Sequence, residues 1–293
     1  MFAGHRPSAQ RSASNVCDPV LASRPRLIVT ADDYGLHEAV NEAVERGYRD
    51  GVLRAASLMV AAPAAGDAVA RARRLPGLAV GLHLVLADGK AMLPPGRIPD
   101  LVDARGWFDS NMVRNGFRFF FLPRVRRQLA AEIRAQFEAF AATGLTLDHV
   151  NAHKHFHLHP TILSLLLSIG RDYGMRAIRL PAEPSMGPWL RPWLGLMRWR
   201  LNRARVMYND HVFGLQHSGG MDERVLMDVL RQLPDGLSEL YLHPAVHGGL
   251  TESMADYRHA DELAALLSPE VRRVIEGRYK LCCGFLDPEA VSA

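Results

Sequence analysis

The sequence contains few cysteines and no long apolar run. Three cysteines in 293 residues, Cys17, Cys282 and Cys283, provide no disulfide framework and favour a reducing compartment. No stretch approaches the roughly 20 uninterrupted apolar residues of a membrane-spanning helix. Residues 1–25 are rich in Ser, Ala, Arg and Pro and lack the apolar centre of a secretory signal. We therefore expect a cytoplasmic protein with a disordered tail at residues 1–25.

Acidic residues are missing from two segments of an otherwise balanced chain. Residues 114–127 and 191–205 each contain five arginines and no Asp or Glu, although the net charge of the whole chain is only +4. The remainder is mildly acidic, so the basic charge is local. The motifs of nucleic-acid-binding modules are also missing, and we expect no nucleic-acid partner.

Short apolar runs alternate with segments of helical periodicity, which predicts parallel βαβ units and an α/β fold. The predicted strands cover residues 27–30, 78–86, 146–150, 177–180, 238–242 and 279–283. The predicted helices cover residues 37–50, 128–142, 161–173, 222–233 and parts of 259–277. Polar candidate residues lie at the C-terminal ends of five predicted strands, where a (β/α) barrel has its active site. We expect a single barrel domain over residues 26–285, with insertions at about 105–127 and 184–210.

Four histidines occupy alternate positions within the run NAHKHFHLHP at residues 151–160: His153, His155, His157 and His159. In an extended backbone alternate side chains share one face, so these imidazoles are expected to converge. Imidazole suits Zn, Cu, Fe or Ni. Together with the pair at residues 32–33 and with His83, the run predicts a carboxylate–His–His metal site. The alternatives are a polar strand, or one ligand among bystander histidines.

The other candidate residues also follow strands. From an extended backbone Asp32 and Asp33 point in opposite directions, so one is expected to face a metal and the other a substrate. His243 is a candidate proton shuttle. Arg179 is a candidate for orienting a catalytic carboxylate through two hydrogen bonds. The alternatives are a helix N-cap for the aspartates, a core residue for His83 and a structural salt bridge for Arg179.

Four motifs together resemble the YdjC-type (ChbG-like) carbohydrate deacetylase family over roughly residues 26–285. They are TADDYG at 30–35, GLH at 81–83, the histidine run, and LHP at 242–244. The sequence of the histidine run and the two basic aromatic segments most resemble those of the deacetylases associated with hopanoid biosynthesis. The resemblance implies a distorted TIM-like barrel that holds one divalent metal ion. We expect Zn first, with Mg, Mn, Co or Ni as alternatives.

The resemblance also implies residue roles. Asp33, His83 and His153 would bind the metal, with His155 and His157 as alternates for His153. Asp32 would be the general base and His243 the general acid. Asn151 stands where the family commonly has Asp.

The implied reaction removes the N-acetyl group from an N-acetylglucosaminyl conjugate and releases acetate. The expected substrate is N-acetylglucosaminyl bacteriohopanetetrol. Three alternatives stay open: a soluble chito-oligosaccharide deacetylase, a metal phosphoesterase, and a non-catalytic metal-binding membrane adaptor.

The two arginine-rich segments are also rich in aromatic residues. Phe119 and Phe120 lie in the first, and Trp189 and Trp193 lie in or beside the second. Arg, Trp and Phe together are typical of an interfacial membrane segment. We expect these residues to form a lip that docks on the inner face of the membrane and admits a lipid-linked sugar. The alternatives are insertions packed on the barrel, with arginine stems covering apolar surface, or a homodimer interface.

Overall fold

The structure is a computed structural model and describes residues 24–291. Nearly all of the tail expected at residues 1–25 lies outside this range, as does Cys17. The strands in the described range are β1 (Arg26–Tyr34), β2 (Ala55–Leu58), β3 (Ala79–Leu84), β4 (Leu147–Ala152), β5 (His211–Phe213), β6 (Leu237–Leu242) and β7 (Lys280–Leu281). The α-helices in the same range are α1 (Glu38–Asp50), α2 (Ala65–Ala72), α3 (Met112–Phe121), α4 (Pro123–Ala142), α5 (Pro160–Asp172), α6 (Arg191–Ala204), α7 (Glu223–Gln232), α8 (His259–Leu267), α9 (Pro269–Arg278) and α10 (Pro288–Val291).

The strands form one parallel sheet in the order β4-β3-β2-β1-β6-β5, and β7 pairs with the start of β1. Strand β1 is buried over all but its first residue, because it lies in the middle of this order. Its side chains from Leu27 to Val29 are apolar, and its buried polar side chains begin at Thr30. The predicted α/β class is confirmed.

The two outer strands of the sheet are linked by an irregular segment. Val150 of β4 pairs with Ile178, and Ala177 pairs with Met207 a few residues before β5. The segment predicted as a strand at 177–180 thus contributes only isolated bridges. Residues 24–291 form a curled parallel sheet with an irregular closing segment, and they do not contain the eight regular strands of a TIM barrel.

The helices cover the outside of the sheet with one apolar face each. In α4 the buried side chains Leu129, Ile133, Phe137 and Phe140 recur at helical spacing, as predicted. Helices α3 and α6 contain most of the two arginine-rich segments. Among the described residues, no helix combines the length and the apolar character needed to cross a bilayer.

A candidate metal centre

The polar residues at the carboxyl ends of the strands meet at one edge of the sheet. Asp32 and Asp33 lie in β1, His83 lies in β3, and His153 and His243 directly follow β4 and β6. All five are buried, with between 2% and 9% of their surface exposed. Because parallel strands end on the same side, residues far apart in sequence are brought together here.

Asp33 breaks the extended backbone of β1. Its φ angle is 61°, in the left-handed region, and the pairing of β1 with β2 shifts register between Ala31 and Tyr34. The alternation expected from an extended strand therefore does not apply, and both carboxylates face the same site. Asp33 Oδ1 lies 3.2 Å from His83 Nε2 and 3.2 Å from His153 Nδ1.

Asp33, His83 and His153 could hold a metal ion. One donor atom from each lies within 4.8 Å of the other two. Among residues 24–291 neither carboxylate oxygen of Asp33 has a hydrogen-bond donor, although both are buried. Burial would raise the pKa of Asp33, but His153 and His83 lower it well below its usual value. An ionised, buried carboxylate without donors is costly unless a cation neutralises it, so the site fits a divalent ion.

A buried arginine fixes the second aspartate. Arg179 Nη1 and Nη2 donate to Asp32 Oδ2 at 2.5 Å and Oδ1 at 3.0 Å. On its other side Arg179 donates from Nε and Nη2 to Glu239, both at 2.8 Å. Burial would raise the pKa of Asp32, but the Arg179 guanidinium lowers it far below its usual range. These two hydrogen bonds orient the Asp32 carboxylate beside the metal candidates, which is the contact predicted for Arg179.

Glu239 was missed in the sequence, although a signal was present. It lies in a fully buried strand at the position that alternates with Tyr241 and His243, so all three face the interior. An acid at such a position needs a cation as partner.

Asn151 connects the metal candidates to Asp32. Its Oδ1 lies 2.7 Å from His83 Nδ1, which leaves His83 Nε2 free to face Asp33. Its Nδ2 donates to Asp32 Oδ1 at 3.0 Å and to Ser57 Oγ at 2.9 Å. A carboxylate at this position could not donate those two bonds. Asn151 therefore fixes the orientation of a metal candidate, His83, and of the neighbouring carboxylate.

The hydrogen-bond network continues away from the site. Ser57 Oγ lies 3.0 Å from His149 Nε2, and His149 Nδ1 lies 2.9 Å from Asp148 Oδ2. Asp148 also accepts from the backbone N–H groups of Phe285 and Leu286, each at 3.0 Å. The network thus joins β2, β4 and the segment after β7.

The histidine run does not converge as expected. Residues 153–158 form a 3-10 turn in which Lys154 and His155 have left-handed φ angles of 54° and 53°. The expectation of an extended backbone was wrong, and His153 alone joins the metal candidates. His155 Nε2 lies 2.9 Å from the hydroxyl of Tyr241, and His157 Nε2 donates to Arg179 O at 2.9 Å. His159 caps α5 by accepting from the N–H of Thr161.

His243 closes the other side of the site. Its Nε2 lies 4.0 Å from Asp33 Oδ2. Its backbone N–H donates to Glu262, and its backbone oxygen accepts from His259 Nδ1. Burial lowers the pKa of His243. Its Nδ1 has no hydrogen-bond partner within the described part of the chain.

A chamber of about 140 Å³ is lined by Asp32, His83 and His243 among others. It adjoins an outer cleft of about 920 Å³ at His153, Ser253 and Met254. The chamber is large enough for an acetyl-sized group. The outer cleft has both polar and apolar walls and includes the indole of Trp107, which is 43% exposed.

The predicted lip residues differ in their exposure. Phe120 and Trp189 are 46% and 75% exposed. Phe119 is only 1% exposed and packs on Phe156, so it belongs to the core rather than to a lip. Trp193 is half-buried and donates to Leu158 O at 2.9 Å. The exposed set consists of Phe117, Phe120, Phe121, Trp189, Leu196 and Trp199, and we name it the basic aromatic surface.

Residues 26–277 match the family model described as YdjC-like protein. The chain belongs to the YdjC-like family. A carbohydrate deacetylase from Brevibacillus brevis is 30% identical over 256 residues, which cover 85% of this chain and 94% of the relative. A carbohydrate deacetylase from Vibrio cholerae is also 30% identical, over 258 residues, and covers 85% of this chain and 91% of its own length.

A solved structure extends the similarity to three dimensions. A proposed cellobiose-phosphate cleavage protein from Enterococcus faecalis V583 superposes with a TM-score of 0.73 at 25% identity. The match covers 89% of this YdjC-like chain and 97% of the other.

Proposed function

We propose that this YdjC-like protein is a metal-dependent carbohydrate N-deacetylase. The observation that carries the proposal is the convergence of Asp33, His83 and His153 beside an arginine-held Asp32. Hydrolysis of an acetamide needs stabilisation of a developing oxyanion, a base for water and an acid for the departing amine. The names of the relatives from Brevibacillus brevis and Vibrio cholerae support this choice of reaction.

Each residue has a defined task in the proposed reaction. A divalent ion held by Asp33, His83 and His153 would polarise the acetamide carbonyl and lower the pKa of water. Asp32, held in place by Arg179 and Asn151, accepts the proton of the attacking water. His243, on the opposite side of Asp33, protonates the departing sugar amine. Burial lowers the pKa of His243, so its imidazolium form, which is the acid, requires a lower pH than a free imidazole does.

Acetate release tests the reaction directly. The protein is stripped with a chelator, single divalent metals are restored, and acetate is measured from an N-acetylglucosaminyl hopanoid in detergent micelles. We expect metal-dependent release. Asp33→Ala should lose metal and turnover together, whereas Asp32→Asn should keep the metal and lose turnover by about 10²–10⁴-fold. Asp228→Asn, on the exposed face of α7, is the matched control. Release of phosphate from phosphomonoesters, with no release of acetate, would contradict the proposal and indicate a metal phosphoesterase.

We further propose a lipid-linked substrate, N-acetylglucosaminyl bacteriohopanetetrol. The support is the position of the basic aromatic surface. Helix α3 packs through Phe119 on Phe156, and Trp193 of α6 donates to Leu158 O. Both contacts lie in the turn that begins at His153, so the exposed aromatic residues flank the segment that supplies a metal candidate. Arginines near an anionic membrane would contribute about 1 kcal/mol each.

Vesicle cosedimentation tests this surface. Arg127, Arg191 and Arg203 are exposed on α4 and α6, and their replacement by Ser should weaken binding to anionic vesicles severalfold. Serine at the exposed residues Arg46, Arg224 and Arg231, on α1 and α7, is the matched control. Equal binding by both variants would remove the membrane role. Acetate release from free chito-oligosaccharides, with none from the lipid, would move the substrate to soluble sugars.

A further inference from the structure

Tyr241 is part of the chamber wall and has no role in the reaction described above. It lies on the interior face of β6 between Glu239 and His243, and it is 3% exposed. The guanidinium carbon of Arg179 lies 4.4 Å from the centre of its ring, so the ring is fixed in position. The hydroxyl lies 2.9 Å from His155 Nε2, and both residues line the chamber.

The direction of the bond between Tyr241 and His155 follows from hydrogen-bond satisfaction. His155 Nδ1 is buried and has no partner in residues 24–291. If the only hydrogen of a neutral imidazole were on Nδ1, a buried N–H would lack an acceptor, and such groups are rare and costly. Every other protonation state has a hydrogen on Nε2, which then donates to the tyrosine oxygen.

This direction leaves the hydroxyl hydrogen of Tyr241 without an acceptor within the described part of the chain, since His155 is its only protein partner there. Burial also raises the pKa of Tyr241, so the hydroxyl keeps its hydrogen. The hydrogen needs an acceptor, and the chamber is where a substrate would supply one.

We propose that the Tyr241 hydroxyl donates a hydrogen bond to the carbonyl oxygen of the bound acetyl group, and that His155 is the residue that positions this hydroxyl. The inference rests on the proposed deacetylation. When water adds to the carbonyl carbon, the π electrons move to the oxygen, and the hydrogen bond from Tyr241 becomes charge-assisted and stronger. The carbon–nitrogen bond then breaks, the amine takes a proton, and acetate leaves. Tyr241 is unchanged at the end of the cycle.

Tyr241→Phe tests the donor, because it removes the hydroxyl and keeps the ring against Arg179. Loss of one preorganised oxyanion donor lowers kcat by about 10²–10³-fold. We expect that loss with KM changed by less than about threefold. Tyr279→Phe is the matched control, since Tyr279 also donates a buried hydroxyl, to Leu230 O, outside the chamber. Its kcat should stay within about twofold of the parent.

A second readout does not depend on turnover. Acetate, the product, carries the same oxygen, and its dissociation constant for the metal-loaded protein can be measured by calorimetry. Because hydrogen bonds to charged groups are strong, Tyr241→Phe should weaken acetate binding by about tenfold or more. His155→Ala should weaken it less, and His155→Gln, which keeps a donor group, should restore part of that loss.

The outcomes separate this inference from the proposed function. Loss of kcat and of acetate affinity in Tyr241→Phe supports the donor. Unchanged kcat and unchanged acetate affinity overturn it while the deacetylase stands. If the parent protein releases no acetate but Tyr241→Phe still loses acetate affinity, the proposed reaction fails and the donor is retained.

Discussion

Asp33 combines a buried charge with a left-handed backbone beside the chamber. It is ionised and buried, and its oxygens have no hydrogen-bond donor among the described residues. Asp32 adds a second negative charge next to it in sequence, and Arg179 is shared between Asp32 and Glu239. Two carboxylates thus share one guanidinium, which makes no hydrogen bond to Asp33. The buried charge of Asp33 therefore favours a divalent ion when one is present.

Asp33→Asn should therefore abolish the stabilisation that a bound metal gives. The amide removes the buried charge that would attract a divalent ion, and Asn tolerates the left-handed backbone. Added metal should raise the Tm of the parent, and the variant should show no rise. Thermal unfolding in excess chelator and with metal restored measures the difference, and an equal rise of Tm in both proteins would contradict the account.

At the level of strands, Gly81 in β3 has no side chain and so leaves room for the hydrogen-bond network behind the metal candidates. A Cβ at Gly81 would lie 2.5 Å from the His149 ring. His149 contacts Ser57 and Asp148, and Ser57 accepts from Asn151. The hydrogen-bond network that orients His83 and Asp32 therefore requires β3 and β4 to lie this close together.

Gly81→Ala should destabilise the fold by about 2–3 kcal/mol, because the ring of His149 has to move and its bonds are strained. The matched control is Gly277→Ala in α9, where a Cβ would meet no atom within 4 Å. Since alanine favours helices, that variant should be more stable by up to about 1 kcal/mol. Urea unfolding compares the two, and equal effects would show that the contact with His149 does not matter.

Helix α8 supports the end of β6 through a buried acid. Glu262 accepts from the backbone N–H groups of Met221 and His243. Burial raises the pKa of Glu262 to about 7, against the opposing effect of these two donors. The folded protein therefore binds this proton more tightly than the unfolded chain. The resulting stabilisation is complete below pH 4.5, the usual pKa, and is lost as the pH rises to about 7.

Glu262→Gln cannot titrate, so it isolates this contribution. The parent should lose about 3 kcal/mol of unfolding free energy relative to the variant between pH 4.5 and 7.5. Chemical denaturation at several pH values measures the difference. A difference that is the same at every pH would mean that folding does not shift the pKa of Glu262.

Several elements could be predicted from the sequence because their apolar pattern is regular. The predicted strands at 27–30, 78–86, 146–150 and 238–242 coincide with β1, β3, β4 and β6. Strands β2 and β5 were missed, since they have four and three residues and little periodicity. The segment at 177–180 has the composition of a strand, but it holds Arg179 in the interior through isolated bridges.

For the molecule as a whole, the convergence of strand ends was predictable and the local backbone was not. Parallel strands bring their carboxyl ends together whatever lies between them, so Asp33, His83 and His153 could be grouped from sequence. The left-handed residues could not be predicted, because alternation assumes an extended chain. For the same reason, the contact between His155 and Tyr241 could not be predicted from the sequence.

The metal site should also control the stability of the whole molecule. An ion that binds only the folded state at 100 times its dissociation constant adds about 2.7 kcal/mol. We therefore expect the Tm of the stripped protein to rise by about 5–10 °C when the preferred metal is restored. Calorimetric scans across a metal series would rank the ions. An identical Tm with and without every metal would exclude a specific site.

The strained backbone around the chamber has a consequence for sequence design. Of the five non-glycine residues with left-handed φ in residues 24–291, Lys154 and His155 border this chamber, and Asp33 is one of the adjoining metal candidates. A designer who optimised the backbone for stability alone would place glycine at Lys154 and His155, because no other residue adopts that conformation at so little cost. The positions where such a design departs from the natural chain would then mark the chamber, with no knowledge of its chemistry.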